Sequence, residues 1–196
     1  DWGSQACTIE RCYSHHNEIM GFLIMGAGYR KYLGYPSDNH YNLLRWSVAE
    51  DEKQGISMAA SYEDGLVYGN TILGAGRGSD AIRVWGWKSG GWPARNLVTG
   101  NIFLARRGAR AMSVDINATV AGNRFDRNCY HGFAGSGKLV RWAVQSGFGG
   151  MKGAGHSSEH DSLDSFRRRT GQEKRGLGAD PRLISPGNGG RGRAGL

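Results

Sequence analysis

The chain has 196 residues, 33 of them Gly and 39% hydrophobic, which supports a domain with a core and excludes wholesale disorder; the glycines keep no triplet period, which excludes collagen. No run approaches the roughly 18 uninterrupted apolar residues of a membrane span. The formal charge of +8 gathers beyond Phe166, where Arg167, Arg168, Arg169, Lys174, Arg175, Arg182, Arg191 and Arg193 oppose only Glu173 and Asp180; the body is near neutral, which argues against a nucleic-acid partner.

In chain order, five segments repeat one pattern: TIERCYS from Thr8, LLRWSVA from Leu43, LVYGNTI from Leu66, LVTGNIF from Leu97 and TVAGNRF from Thr119. An apolar leader (Ile9, Leu44, Val67, Val98, Val120) is followed three residues later by a small polar one (Cys12, Ser47, Asn70, Asn101, Asn123). Variable insertions between near-constant segments are the mark of a repeat architecture. A second short strand follows each of the first four: GFLIM from Gly21, GISMA from Gly55, AIRVW from Ala81 and AMSVD from Ala111. Alternation puts Phe22/Ile24, Ile56/Met58, Ile82/Val84 and Met112/Val114 on one buried face. The reading is strand, turn, strand, turn, stacked into an all-β, right-handed parallel β-helix of about five coils over residues 1–150. Asn70, Asn101 and Asn123 then form one ladder of turn amides.

The final segment changes character. Leu163 and Phe166 lie behind Asp161 or Ser162 as N-cap and before Gly171 as C-cap, which predicts a short capping helix over Ser162–Thr170 within a cap segment, 151–186. Residues 187–196 read as a flexible Gly/Arg tail. The first strand begins eight residues in with no cap before it, and the expectation is that earlier coils precede it. Of Cys7, Cys12 and Cys129 at least one is unpaired; Cys7 and Cys12, if they share an extended strand, lie too far apart to bridge, and the three lack zinc-ligand spacing. GFAGSGK has Leu139 where a phosphate loop needs Ser or Thr. His156 and His160 would share a face only in a helix, which the glycines before them oppose.

The segments CTIERCYSHHNEIMGFLI, NLLRWSVAEDEKQGISM, GLVYGNTI, AIRVWGW and NLVTGNIF, closed by SLDSFRRRTGQE and GADPRLISPG, resemble bacterial right-handed parallel β-helix repeat proteins, relatives of the pectate-lyase-like carbohydrate-active enzymes. The resemblance implies secretion or cell-surface placement and a polysaccharide partner. It implies no single activity, since the family holds lyases, hydrolases, epimerases and members without a known reaction.

In proteins of that kind the sugar lies on the outward face of the second strand. Here that face would carry Leu23, Ser57, Arg83, Ser113 and Arg141 in one row and Met25, Ala59, Trp85, Asp115 and Ala143 in the next. Arg83 and Asp115 are the catalytic candidates; Trp85, Ser113 and Ser57 are the sugar-binding ones, Trp85 as an exposed platform. Hydrolysis needs a second carboxylate, which turns would supply from Glu50, Asp51, Glu52, Glu63, Asp64 or Asp80. Lyase chemistry needs a cation and a base, for which Arg83, Arg141 and Lys88 are the candidates. His40, with the pair His15 and His16, offers hydrogen bonding or proton transfer. The run Glu50-Asp51-Glu52 offers oxygen ligands for Ca²⁺; no other cofactor is implied. The expectation is a polysaccharide-processing protein of hydrolase or lyase type, the alternative being a non-catalytic glycan-binding or cell-surface structural module. Oligomeric state is left open.

Overall fold

The computed structural model describes residues 4–25, 39–60, 62–74, 78–86, 93–106, 108–115, 122–133, 138–144 and 156–182. The chain builds three main sheets, each taking one strand from each successive repeat. The first holds β1 (Thr8–Glu10), β5 (Leu43–Arg45), β9 (Leu66–Tyr68), β12 (Leu97–Thr99) and β15 (Arg124–Asp126), all parallel. The second holds β2 (Tyr13–His15), β6 (Val48–Glu52), β10 (Thr71–Gly74), β13 (Ile102–Ala105) and β16 (Cys129–Gly132), again parallel. The third holds β3 (Met20–Met25), β7 (Gln54–Ala59), β11 (Asp80–Trp85), β14 (Arg110–Val114) and β17 (Val140–Val144), with β18 (His156–His160) added antiparallel to β17. A short pair, β4 (Asn39–His40) and β8 (Tyr62–Glu63), stands beside them.

Inward side chains stack by type along each sheet. Leu44, Val67, Val98 and Phe125 line the first, and Ala49, Ile72, Phe103 and Tyr130 the second. The third carries Ile56, Ile82, Met112 and Val140 beside Met58, Val84, Val114 and Trp142. All of these are buried in one continuous core, and burial of such apolar surface is the main stabilising term.

Each repeat thus has three strands, where alternation alone suggested two. The extra strand is hidden because Val48–Glu52 is mostly polar and its short neighbours are flanked by other strands. Glu50 and Glu52 consequently lie in β6 and not in a turn.

The amide ladder is also corrected. Register aligns Val98 with Phe125, five residues beyond the expected leader Val120, which lies outside the described residues. Asn123 therefore stacks on Asn96 and Asn128 on Asn101, giving two ladders, one at each end of the first-sheet strand. In one, Cys12 N–H donates to Ser47 Oγ, Ser47 N–H to Asn70 Oδ1, Asn70 N–H to Asn101 Oδ1 and Asn101 N–H to Asn128 Oδ1, at 2.9–3.2 Å. In the other, Cys7 N–H donates to Asn42 Oδ1, Gly65 N–H to Asn96 Oδ1 and Asn96 N–H to Asn123 Oδ1, at 2.8–3.0 Å. The amides also donate to carbonyls of the preceding repeat, as Asn101 Nδ2 does to Val67 O at 2.9 Å. Buried backbone groups at the bends are thereby satisfied. Cys7 and Cys12 lie beyond the two ends of β1 as free, exposed thiols.

The helix α1 (Leu163–Thr170) has the expected signals: Ser162 accepts the Ser165 N–H as N-cap, and Gly171, at φ 70°, closes the other end. Its buried Leu163 and Phe166 set its apolar side, Phe166 packing 5.1 Å from Trp142. The segment 156–160 is a strand, so His156 and His160 share no helical face. The tail 187–196 lies outside the described residues. None of the described helices is long and apolar enough to cross a membrane.

Candidate functional site

Parallel register brings the expected rows together on the third sheet: Leu23, Ser57, Arg83, Ser113 and Arg141 stand side by side. Asp115 follows β14, tied by its N–H to Val84 O at 2.8 Å. There Arg83 donates to Asp115 Oδ2 from Nε at 3.1 Å and Nη2 at 2.8 Å, and Arg141 Nη1 lies 3.8 Å from Oδ1. These side chains stay partly open: 36% for Arg83, 24% for Asp115 and 39% for Arg141. A carboxylate held between two guanidiniums leaves net positive charge at the surface.

The neighbouring groups are less open than expected. Ser57 and Ser113 are buried. Trp85 is half-buried, its indole N–H turned down to donate to Ser57 Oγ at 2.8 Å, with the Arg83 guanidinium 5.8 Å from its ring. Asp80 is buried, and its burial pushes the carboxyl up while the bond from Arg110 Nε at 2.7 Å opposes that. It is engaged by Arg110 and also feels the charges of Arg83 and Asp115.

The acidic run does not converge. Glu52 is fully buried and accepts from Asn17 N–H at 3.0 Å, Asn17 Nδ2 at 2.7 Å and Ser14 Oγ at 3.0 Å. Glu50 accepts from Tyr13 Oη at 2.8 Å and Arg106 Nη2 at 3.3 Å. A bulge between Leu73 and Gly74 pairs these residues with Glu50 and Glu52 and leaves Asp51 outside the ladder; the Asp51 side chain, like that of Ala143 and all of Lys88, lies outside the described residues.

His40 joins a cluster that no local motif announced. Its Nδ1 lies 3.2 Å from Asp64 Oδ2 and 4.0 Å from Glu63 Oε2. Arg95, one repeat on, donates to the same carboxylates: Nε to Asp64 Oδ1 and Nη2 to Glu63 Oε2, each at 2.7 Å, and Nη2 to Asp64 Oδ2 at 2.8 Å. These bonds hold the Asp64 carboxyl below its usual range. The ligand atoms of His40, Glu63 and Asp64 lie within 4.8 Å of one another, a spacing a metal ion would accept. The Arg95 guanidinium already bridges those oxygens. His15 and His16 face each other, Nδ1 to Nδ1, at 2.8 Å beside Tyr13.

No family model, curated protein or solved structure matches this chain.

Proposed function

We propose that this chain is a right-handed parallel β-helix, placed at the cell surface or secreted, that binds an extended acidic polysaccharide along the outer face of its third sheet. The observation that carries the reading is the Arg83–Asp115–Arg141 group: two guanidiniums, each more than a third open, paired with one carboxylate from β11 and β17, two strand spacings apart across β14 in a continuous parallel sheet. Guanidinium recognises a uronate carboxylate with paired hydrogen bonds, and strand stacking repeats the recognition along a polymer. Half-buried Trp85, anchored by its indole N–H to Ser57, stands beside Arg83. Retention on immobilised polygalacturonate, lost in Arg83→Gln and in high salt, supports the reading; passage of the parent unretarded through that column overturns it.

Turnover is the second reading, favoured by the same two cations. In a β-elimination they would neutralise the uronate carboxylate while a base removes the C5 proton, the C4–O bond breaks, a C4=C5 double bond forms and the departing oxygen takes a proton. Asp115 is the carboxylate at hand for the C5 proton. Absorbance of an unsaturated uronate appearing with the parent and absent with Asp115→Asn would establish it. Hydrolysis has less support, because Asp80, the carboxylate that interacts with Asp115, is buried and held by Arg110 where a second catalytic carboxylate would have to reach the sugar.

A further inference from the structure

Each repeat bends from the first sheet into the second through one residue in the left-handed region: Arg11 (φ 54°), Trp46 (φ 50°), Gly69 (φ 65°), Gly100 (φ 64°) and Arg127 (φ 61°). Glycine adopts this conformation freely, and a bulky side chain does so only under strain. The third and fourth repeats use glycine; the second holds a tryptophan there.

That tryptophan is also exposed. Trp46 is 45% open, and its indole lies along Gly69, where a Cβ would come within 2.7 Å of Cδ1. The Arg45 guanidinium stands 4.2 Å from the ring and that of Arg11 5.6 Å, with Tyr68 edge-on at 5.7 Å. Arg45 is pinned by Glu10 at 2.6 Å and Tyr68 Oη at 3.0 Å. Beyond Gly69, nothing lies within 4 Å of where a Cβ would stand at Gly100. The Trp46 indole, with Arg11 beside it, thus covers Gly69, the floor is bare at Gly100, and Arg127 stands at the far end of the row, about 14 Å from Trp46 at three strand spacings. Tyr68 and Thr99 stand beside it. Arg11 and Arg127 take part in no ion pair among the described residues.

We propose that this corner row is a second binding site for an acidic saccharide, a proposal that rests on the reading that the chain binds acidic glycans. A pyranose lies on the open floor at Gly100 against the partly exposed indole, and the guanidiniums of Arg11 and Arg127 meet carboxylates at either end. A single-stranded nucleic acid fits less well, because successive bases need successive aromatic faces and the row has one.

Titration calorimetry with a short uronate oligosaccharide tests this through stoichiometry. Two sites per parent chain are expected, with one lost in Trp46→Gly and the other lost in Arg83→Gln. Gly100→Asn, which tolerates the left-handed conformation, should weaken the corner site tenfold or more by filling its floor. Trp46→Gly should melt no lower than the parent, since glycine suits φ 50°, so a loss of binding there is not a loss of fold. One site per parent chain, abolished by Arg83→Gln and untouched by Trp46→Gly, overturns the corner site and leaves the third-sheet site standing. One site abolished by Trp46→Gly alone overturns the third-sheet assignment and leaves the corner. No binding by the parent overturns both; single-stranded RNA that displaces the oligosaccharide from the corner at equal concentration overturns the corner's saccharide assignment.

Discussion

Glu173 receives Asn128 twice: its Oε1 accepts from Asn128 Nδ2 at 2.6 Å and its Oε2 from the Asn128 N–H at 3.2 Å. Tyr130 Oη adds a third bond at 2.7 Å, and the preceding residue, Gln172, accepts the Phe125 N–H at 2.8 Å. The segment after α1 thus ends the Ser47–Asn128 ladder on a buried carboxyl and covers the edge of the first sheet.

Replacing Glu173 by Ala should leave three buried donors unmet. Each such group costs about 1–3 kcal/mol, so a loss of about 3 kcal/mol or more in urea unfolding is expected. Glu173→Gln, which keeps one acceptor, should lose less. Equal stability of the parent and the Ala variant would mean that the ladder does not end there.

The same residue makes stability fall as pH rises above the ordinary carboxyl range. Burial pushes the Glu173 carboxyl above its ordinary 4.5, the bonds from Asn128 and Tyr130 only partly opposing it. A raised carboxyl contributes stability that is complete below its unfolded value and is lost as pH rises through the folded one. Against Glu173→Gln, which does not titrate, the advantage of the parent should therefore shrink from pH 4 upward. Asp64 and Asp126 act oppositely. Arg95 holds Asp64 below its ordinary 3.8; burial pushes Asp126 up but the bonds from Arg175 outweigh it, so that it too lies low. Their contribution is present above 3.8 and lost as pH falls through the lowered values, and Asp126→Asn should flatten that acid limb in chemical denaturation.

Gly65 occupies the ladder place held by Asn42, Asn96 and Asn123 in other repeats, and the phenol of Tyr62 fills the space its side chain would take. Tyr62 Oη donates to Asn42 O at 2.9 Å, supplying a bond to the preceding repeat that an asparagine amide would otherwise make. Gly65→Asn alone should destabilise by several kcal/mol through overpacking, since overpacking typically costs about 1–3 kcal/mol or more. Combined with Tyr62→Ala it should recover part of the loss. Additive losses in a double-mutant cycle would refute this exchange.

Calcium is expected to leave the melting temperature unchanged. The oxygens of Glu52 are committed to Asn17 and Ser14, and Glu50 is drawn to Arg106, so these two described carboxylates present no shared ligand set. Glu52→Ala should instead destabilise by about 2–4 kcal/mol, from Asn17 and Ser14 donors left without an acceptor; a calcium-dependent rise in the parent would contradict this account.

The amino-acid order alone determined what depends on nearest neighbours along the chain. Alternation in AIRVWGW and AMSVD marks strands because successive side chains must face opposite ways, and Ser162, Leu163, Phe166 and Gly171 mark α1 because caps act within one turn. Stacking decided the rest. Five residues separate the true Phe125 register from the expected Val120, and both read plausibly until Asn96 and Asn128 show that each strand is flanked by two ladder positions. The middle strand escaped notice because VAEDE buries Ala49 and turns Glu52 inward onto Asn17, a partner 35 residues away. His40, the adjacent pair Glu63 and Asp64, and Arg95, like Arg11, Trp46 and Gly69, come from different repeats and meet only across the strand spacing of about 4.8 Å. A carboxylate's partners are fixed by that short distance through space, to which separation along the chain gives no guide.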